Sequence, residues 1–200
     1  MGCASPNSLH WEDLRNHPVD DVLKREGVKT AEEGQGYDVS FLNAVYRVDP
    51  VQEQIREIAP NQNRLLTEEF QILLIRYLVA PYGGPLDGKD VSEKDFPGGV
   101  TFFQGPHALP GYVIAKRYGS DPDSFEQRSR TLGAVPVEYG DKGMRFYPFP
   151  KIPVTLILWK ADEEFPASVS VLFDSSIARW FEFDMIFTSV WVLIERIAEE

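Results

Sequence analysis

The stretch Val154-Thr155-Leu156-Ile157-Leu158-Trp159 is apolar at every position but one. A strand with one wet face alternates apolar and polar residues, so this run demands cover on both faces. It belongs at the centre of a sheet. Ala134 to Tyr139, Met144 to Tyr147 and Ser168 to Phe173 are further strand candidates. Gly140-Asp141-Lys142-Gly143 links the first two of these as a hairpin would. Ser168 to Phe173 alternates at first and then turns fully apolar.

The rest of the chain frames this sheet with helices. Trp11 to Arg25 reads as a first helix, sparse in apolar residues, that Pro18 starts or kinks. Glu32 to Gly36 is a polar break. Tyr37 to Leu42 and Ala44 to Val48 carry the period of two that a strand needs and turn at Asn43. Thr67 caps the clearest helix: Glu68 and Glu69 complement its dipole, and Phe70, Leu73, Leu74, Tyr77 and Leu78 recur at helical spacing. Pro81 ends it, and Tyr82 to Gly88 is a long turn. Helices are expected at Gly111 to Tyr118 and at Pro122 to Leu132, the second capped by Asp121. Asp174-Ser175 caps a short helix from Ser176 to Trp180, and the last helix runs from Asp184 to Ala198. Helix, strands, helices, strands, helix is the order of an α+β fold with a largely antiparallel sheet and packed helices in a single domain. Residues 1–35 read as a helical amino-terminal segment and 36–200 as the α+β domain.

Composition excludes several functions. Forty-three per cent hydrophobic residues suffice for a real core, so wholesale disorder is out. Twenty basic residues face 31 acidic ones, a net charge of −11. A nucleic-acid binder needs a basic face, and an anionic membrane attracts one, so neither partner is expected. The one cysteine, Cys3, excludes an intrachain disulfide and any multi-thiolate metal site from this chain alone. Met1-Gly2-Cys3-Ala4-Ser5-Pro6 fails as a myristoylation site because Pro6 stands where Ser or Thr is required. No apolar h-region or membrane-length run occurs, so a soluble cytoplasmic protein is the expectation.

Three groups of residues can carry chemistry. Asp162, Glu163 and Glu164 form an acidic turn between two apolar strands. Their oxygens suit a hard cation such as magnesium or calcium, and two of them can divide into an acid and a base. The alternative is a solvated hairpin tip, because neighbouring strand residues point to opposite faces. His107 lies in the proline-stiffened loop Gly105-Pro106-His107-Ala108-Leu109-Pro110-Gly111, where a histidine serves as an axial ligand, as a proton shuttle, or as a plain exposed residue. His10 and His17 on a continuous helix would stand about 10.5 Å apart, too far to share one ion. The aromatic surplus of the second half mostly builds core. The excess can line a flat pocket for a planar cofactor, with Trp159 and Phe165 as its walls and His107 beside them. Trp180-Phe181-Glu182-Phe183 is too apolar for one helix face and reads as a partner surface through Trp180, Phe181 and Phe183. Gly83-Gly84 and Gly98-Gly99 lack phosphate-loop spacing and read as turns. Residues 160–200 carry nine acids against three bases, which would repel anions from that end.

Several landmarks together carry a resemblance. They are Tyr37 to Leu42, Leu73-Leu74 with Tyr77-Leu78, Phe96-Pro97-Gly98-Gly99, Leu132-Gly133, Pro150-Lys151-Ile152-Pro153, Trp159 with Asp162 to Pro166, and Leu172-Phe173-Asp174. From Tyr37 onward the chain resembles domain-of-unknown-function family 3786, most specifically between Pro150 and Asp174. The resemblance implies small proteins of anaerobic bacteria and archaea, some with an added cysteine-rich iron–sulfur module. This chain departs from that pattern in having one cysteine, and again at Gly105 to Gly111, where a plainer helix is expected. The family brings no activity to carry over.

The functional expectation is therefore a non-catalytic binding or accessory protein of anaerobic metabolism, holding a planar, corrinoid-like cofactor or a partner protein. The alternatives are a metal-assisted enzyme using Asp162 to Glu164 with His107, and a structural subunit of a redox complex.

Overall fold

The structure, a computed structural model, describes residues 8–32, 36–60 and 66–199. Cys3 and the Met1 to Pro6 motif lie outside the described residues, as does the middle of the polar break before Tyr37. Among the described residues the chain forms seven α-helices and nine strands in two antiparallel sheets. The first sheet is a meander of β1 (Val28–Thr30), β2 (Tyr37–Phe41), β3 (Ala44–Asp49) and β4 (Gln54–Ala59). The second comprises β5 (Asp90–Val91), β6 (Val135–Val137), β7 (Lys142–Phe149), β8 (Ile152–Trp159) and β9 (Ser168–Asp174), in the order β5-β9-β8-β7-β6.

The strand demanded by its sequence sits where it must. β8 lies between β7 and β9, and Ile152 to Leu158 are all buried, with only Trp159 half-exposed at the end. On the core side Val154, Leu156 and Leu158 meet Met144 and Phe146 of β7 and Val171 and Phe173 of β9. The other face carries Thr155, Ile157 and Trp159. The loop after β6 covers part of it: Tyr139 donates to Asp90 at 3.1 Å, and Arg145 binds both Thr155 and Asp90.

One helix joins the two sheets. α3 (Glu68–Val79) begins at Thr67, whose hydroxyl accepts the Phe70 N–H at 3.3 Å. Phe70, Leu73, Leu74, Ile75, Tyr77 and Leu78 are all buried, so it is apolar nearly all round and lies in the core. Phe70 meets Phe41 and Tyr46 of the first sheet, edge on, at 4.8 and 4.9 Å. Tyr77 stacks on Phe149 of the second sheet at 3.8 Å. Removing a side chain such as Leu74 would leave a cavity and cost about 2–5 kcal/mol.

The expected first helix divides. α1 (Ser8–Asn16) and α2 (Val19–Leu23) are separated at His17-Pro18, because Pro18 takes ψ 127°, outside any helix. α4 (Gly99–Phe102), α5 (Gly111–Tyr118) and α6 (Pro122–Thr131) follow α3, and α6 is capped by Asp121 through the Ser124 N–H. α7 (Phe183–Ala198) closes the core against α3 and α5. Its last carbonyls accept from Arg117, Tyr118 and Arg128, cationic and phenolic donors at the negative end of a helix dipole. The whole is a single α+β domain. No helix among the described residues is long and apolar enough to cross a membrane.

Candidate functional site

A concave pocket lies where α3 ends and α7 begins. Pro81 stops α3, and the carbonyl of Ala80 is taken by the buried guanidinium of Arg25, which also holds the carbonyl of Asp21. The chain then loops through Tyr82 to Gly88 and is stapled to the 3-10 turn Ser175–Arg179. Arg179 supplies half of the staple: Nε donates to Gly83 O at 2.6 Å, one terminal nitrogen to Pro85 O at 2.8 Å and the other to Asp87 at 3.0 Å. Asp174 supplies the other half, accepting the N–H groups of Asp87 (3.0 Å), Gly88 (2.7 Å) and Ser176 (3.0 Å). Burial pushes the Asp174 carboxyl up, but bonds from Ser176, Asp87 and Gly88 outweigh it and hold the group below its ordinary value.

Trp180 fills the angle of this corner. Its ring stacks beside Tyr77 at 5.8 Å and meets Tyr82 edge on at 5.5 Å. A Cβ on Gly83 would overlap the indole, so only glycine fits there. The indole N–H is buried without an acceptor. Between this corner and α3 remains a cleft of about 320 Å³. Val79, Ala80, Pro81, Trp180, Phe181 and Met185 form its apolar wall, and Arg76, Arg179, Glu182 and Asp184 its charged lip. Arg179 is spent on the staple. Arg76 has only a 3.7 Å contact to Asp13. Asp184 accepts the Met185 N–H, while the Glu182 side chain makes no capping bond to α7.

Trp180 and Phe181 therefore do not form the partner surface that the sequence suggests. They are 2% and 5% exposed. The physical reason is the 3-10 turn before them, which folds Trp180 and Phe181 inward and leaves Glu182 exposed. Phe183 is half-buried against Phe96, Phe102 and Phe103.

The acidic turn is a hairpin tip between β8 and β9. Asp162, Glu163 and Glu164 are all exposed. Asp162 accepts the N–H groups of Glu164 (2.9 Å) and Phe165 (2.7 Å), and its own N–H donates to Phe165 O. Those bonds, from Phe165 first, hold its carboxyl below the ordinary value. Among the described residues no three His, Cys, Asp or Glu side chains are placed to hold a metal ion.

Among the described residues, no ring contact joins the three residues expected around a planar cofactor. Trp159 donates its indole N–H to Ser170 at 3.2 Å on the outer face of the sheet, and Phe165 is exposed at the hairpin tip. His107 stacks on Phe102 at 4.6 Å and meets Phe187 of α7 edge on at 5.7 Å. Among the described residues its ring contacts join it to neither Trp159 nor Phe165.

Compared with known families, residues 19–196 match the one described as a domain of unknown function, DUF3786. The chain belongs to this family. Among curated proteins and among solved structures, nothing matches it.

In this DUF3786 domain the residues that sequence reasoning missed are Arg76, Glu182 and Asp184. One signal was available: Arg76 is the single charged residue in the run Phe70 to Val79, which is polar elsewhere only at Gln71. Nothing in the spacing ties it to residues more than a hundred positions later.

Proposed function

We propose that the protein is a binding protein whose ligand occupies the cleft between the end of α3 and the start of α7. The observation that carries this reading is the combination, in one cavity, of an apolar wall with charged groups that the fold leaves without strong partners. At about 320 Å³ the cleft is at the small end of ligand sites, which favours a small molecule over a corrin-sized macrocycle. Binding is favoured over the metal-assisted alternative because Asp162 is committed to closing its own turn and Glu163 and Glu164 stand in solvent. The test is a thermal-shift screen of small metabolites on the wild type and on Met185→Trp, which fills the cleft. Compounds that stabilise the wild type and not the folded variant support the reading. A screen in which every hit acts equally on both proteins overturns it.

A second reading rests on His107, whose imidazole is exposed and backed by Phe102 and Phe187. A planar cofactor of anaerobic metabolism docked there would take the imidazole as ligand and α7 as support. Anaerobic purification followed by a visible spectrum tests it. A stoichiometric chromophore lost in His107→Ala supports the reading, and a colourless protein that takes up no added corrinoid counts against it.

A further inference from the structure

Resting on the cleft as the binding site, we infer that its ligand is a small zwitterion with an apolar body, of the α-amino-acid class. The charges of the lip come from two different helices. Arg76 sits in the last turn of α3, and Glu182 and Asp184 flank the first turn of α7. Each sign stands where its own helix dipole favours it. The opposite charges line one cavity without pairing with each other: the nearest carboxylate to Arg76 is that of Asp13, at 3.7 Å. A ligand that carries both charges satisfies both sides.

The other ligand classes each fit worse. A simple anion meets Arg76 but is repelled by two carboxylates. A simple cation meets the carboxylates but is repelled by Arg76. A neutral apolar molecule would cover the apolar wall and strip the lip charges of water while supplying them no partner of its own. A zwitterion lays its carboxylate on the Arg76 guanidinium, the planar donor suited to it, and its ammonium on Glu182 or Asp184. The floor of Val79, Pro81, Trp180, Phe181 and Met185 then receives an aliphatic or aromatic side chain.

The experiment is calorimetry on the full chain with the twenty common amino acids, each best binder being compared with its amide and its N-acetyl derivative. The amide lacks the carboxylate and the N-acetyl compound lacks the ammonium. The expected result is saturable binding of an apolar amino acid, weakened about tenfold or more by either modification. Arg76→Gln should erase the preference for the acid over the amide. Asp184→Asn and Glu182→Gln together should erase the preference for the free amine. Circular dichroism checks that the variants are folded, and the lip residues are exposed enough for each to be replaced separately. If amides or N-acetyl compounds bind as well as the parent, the zwitterion class is overturned while the cleft survives. If the amino acids fail but Met185→Trp abolishes metabolite hits, the class again falls alone. If no compound of either set depends on the open cleft, both readings fall.

Discussion

β9 is bounded by two turns that start from an aspartate. Before it, Asp162 accepts two backbone N–H groups from residues two and three positions on. After it, Asp174 also accepts backbone N–H groups, but two of its three come from residues 86 and 87 positions away. The chemistry is the same and the consequence differs. A local turn closes itself in water and fixes nothing beyond itself. The buried, long-range turn joins two distant parts of the chain, and a cleft forms beside it.

The comparison can be broken most forcefully at Asp174. Replacing it with alanine leaves the buried Ser176 N–H and the part-buried N–H groups of Asp87 and Gly88 without their acceptor, and a loss of about 2 kcal/mol in unfolding free energy is expected. Chemical denaturation measures it, and an unchanged midpoint would count against the long-range staple. Gly83→Ala attacks the same corner from the other side. The added methyl strikes the Trp180 indole, and overpacking of that kind costs about 2 kcal/mol. Tryptophan fluorescence should shift with it.

Acid sharpens the contrast. The Asp174 carboxyl is held below its ordinary value of 3.8 in the folded state. Its stabilising contribution is therefore complete above 3.8 and is lost as the pH falls through the lower folded-state value. The gap in melting temperature between wild type and Asp174→Asn should narrow as the medium is acidified below pH 3.8 and stay level above it. A gap that widens on acidification would reverse the sign of the argument. The smallest effect belongs to Asp162→Ala. Its carboxylate is exposed, so the melting temperature should move far less than in Asp174→Ala, and Glu163→Gln should leave it unchanged.

Much of the fold was legible because its signals are local. Thr67, Asp121 and Asp174 cap where their side chains and following residues say they should, and Val154 to Trp159 is central because nothing else could cover it. The division into two sheets was not legible. β1 and β5 are three and two residues long, and β4 reads Gln-Ile-Arg-Glu-Ile-Ala, a polar edge without alternation. The break at His17-Pro18 was half visible, since a proline marks a boundary but not whether the helix resumes. At the site, the apolar run Trp180-Phe181 reads from sequence as a partner surface, whereas both side chains are buried in the corner. The partners of Trp180, Tyr77 and Gly83, lie about a hundred positions upstream, and no periodicity reports such a distance.

The hold of Arg25 on the Ala80 carbonyl carries a consequence for the amino-terminal helices. Ala80 is part of the cleft wall, so α2 and the cleft are mechanically in series. Fraying of α2 would slacken the wall, and a molecule wedged in the cleft would brace α2. Limited proteolysis should feel that brace: cutting between α1 and β1 should slow when the cleft is filled, although no filler touches the bond being cut.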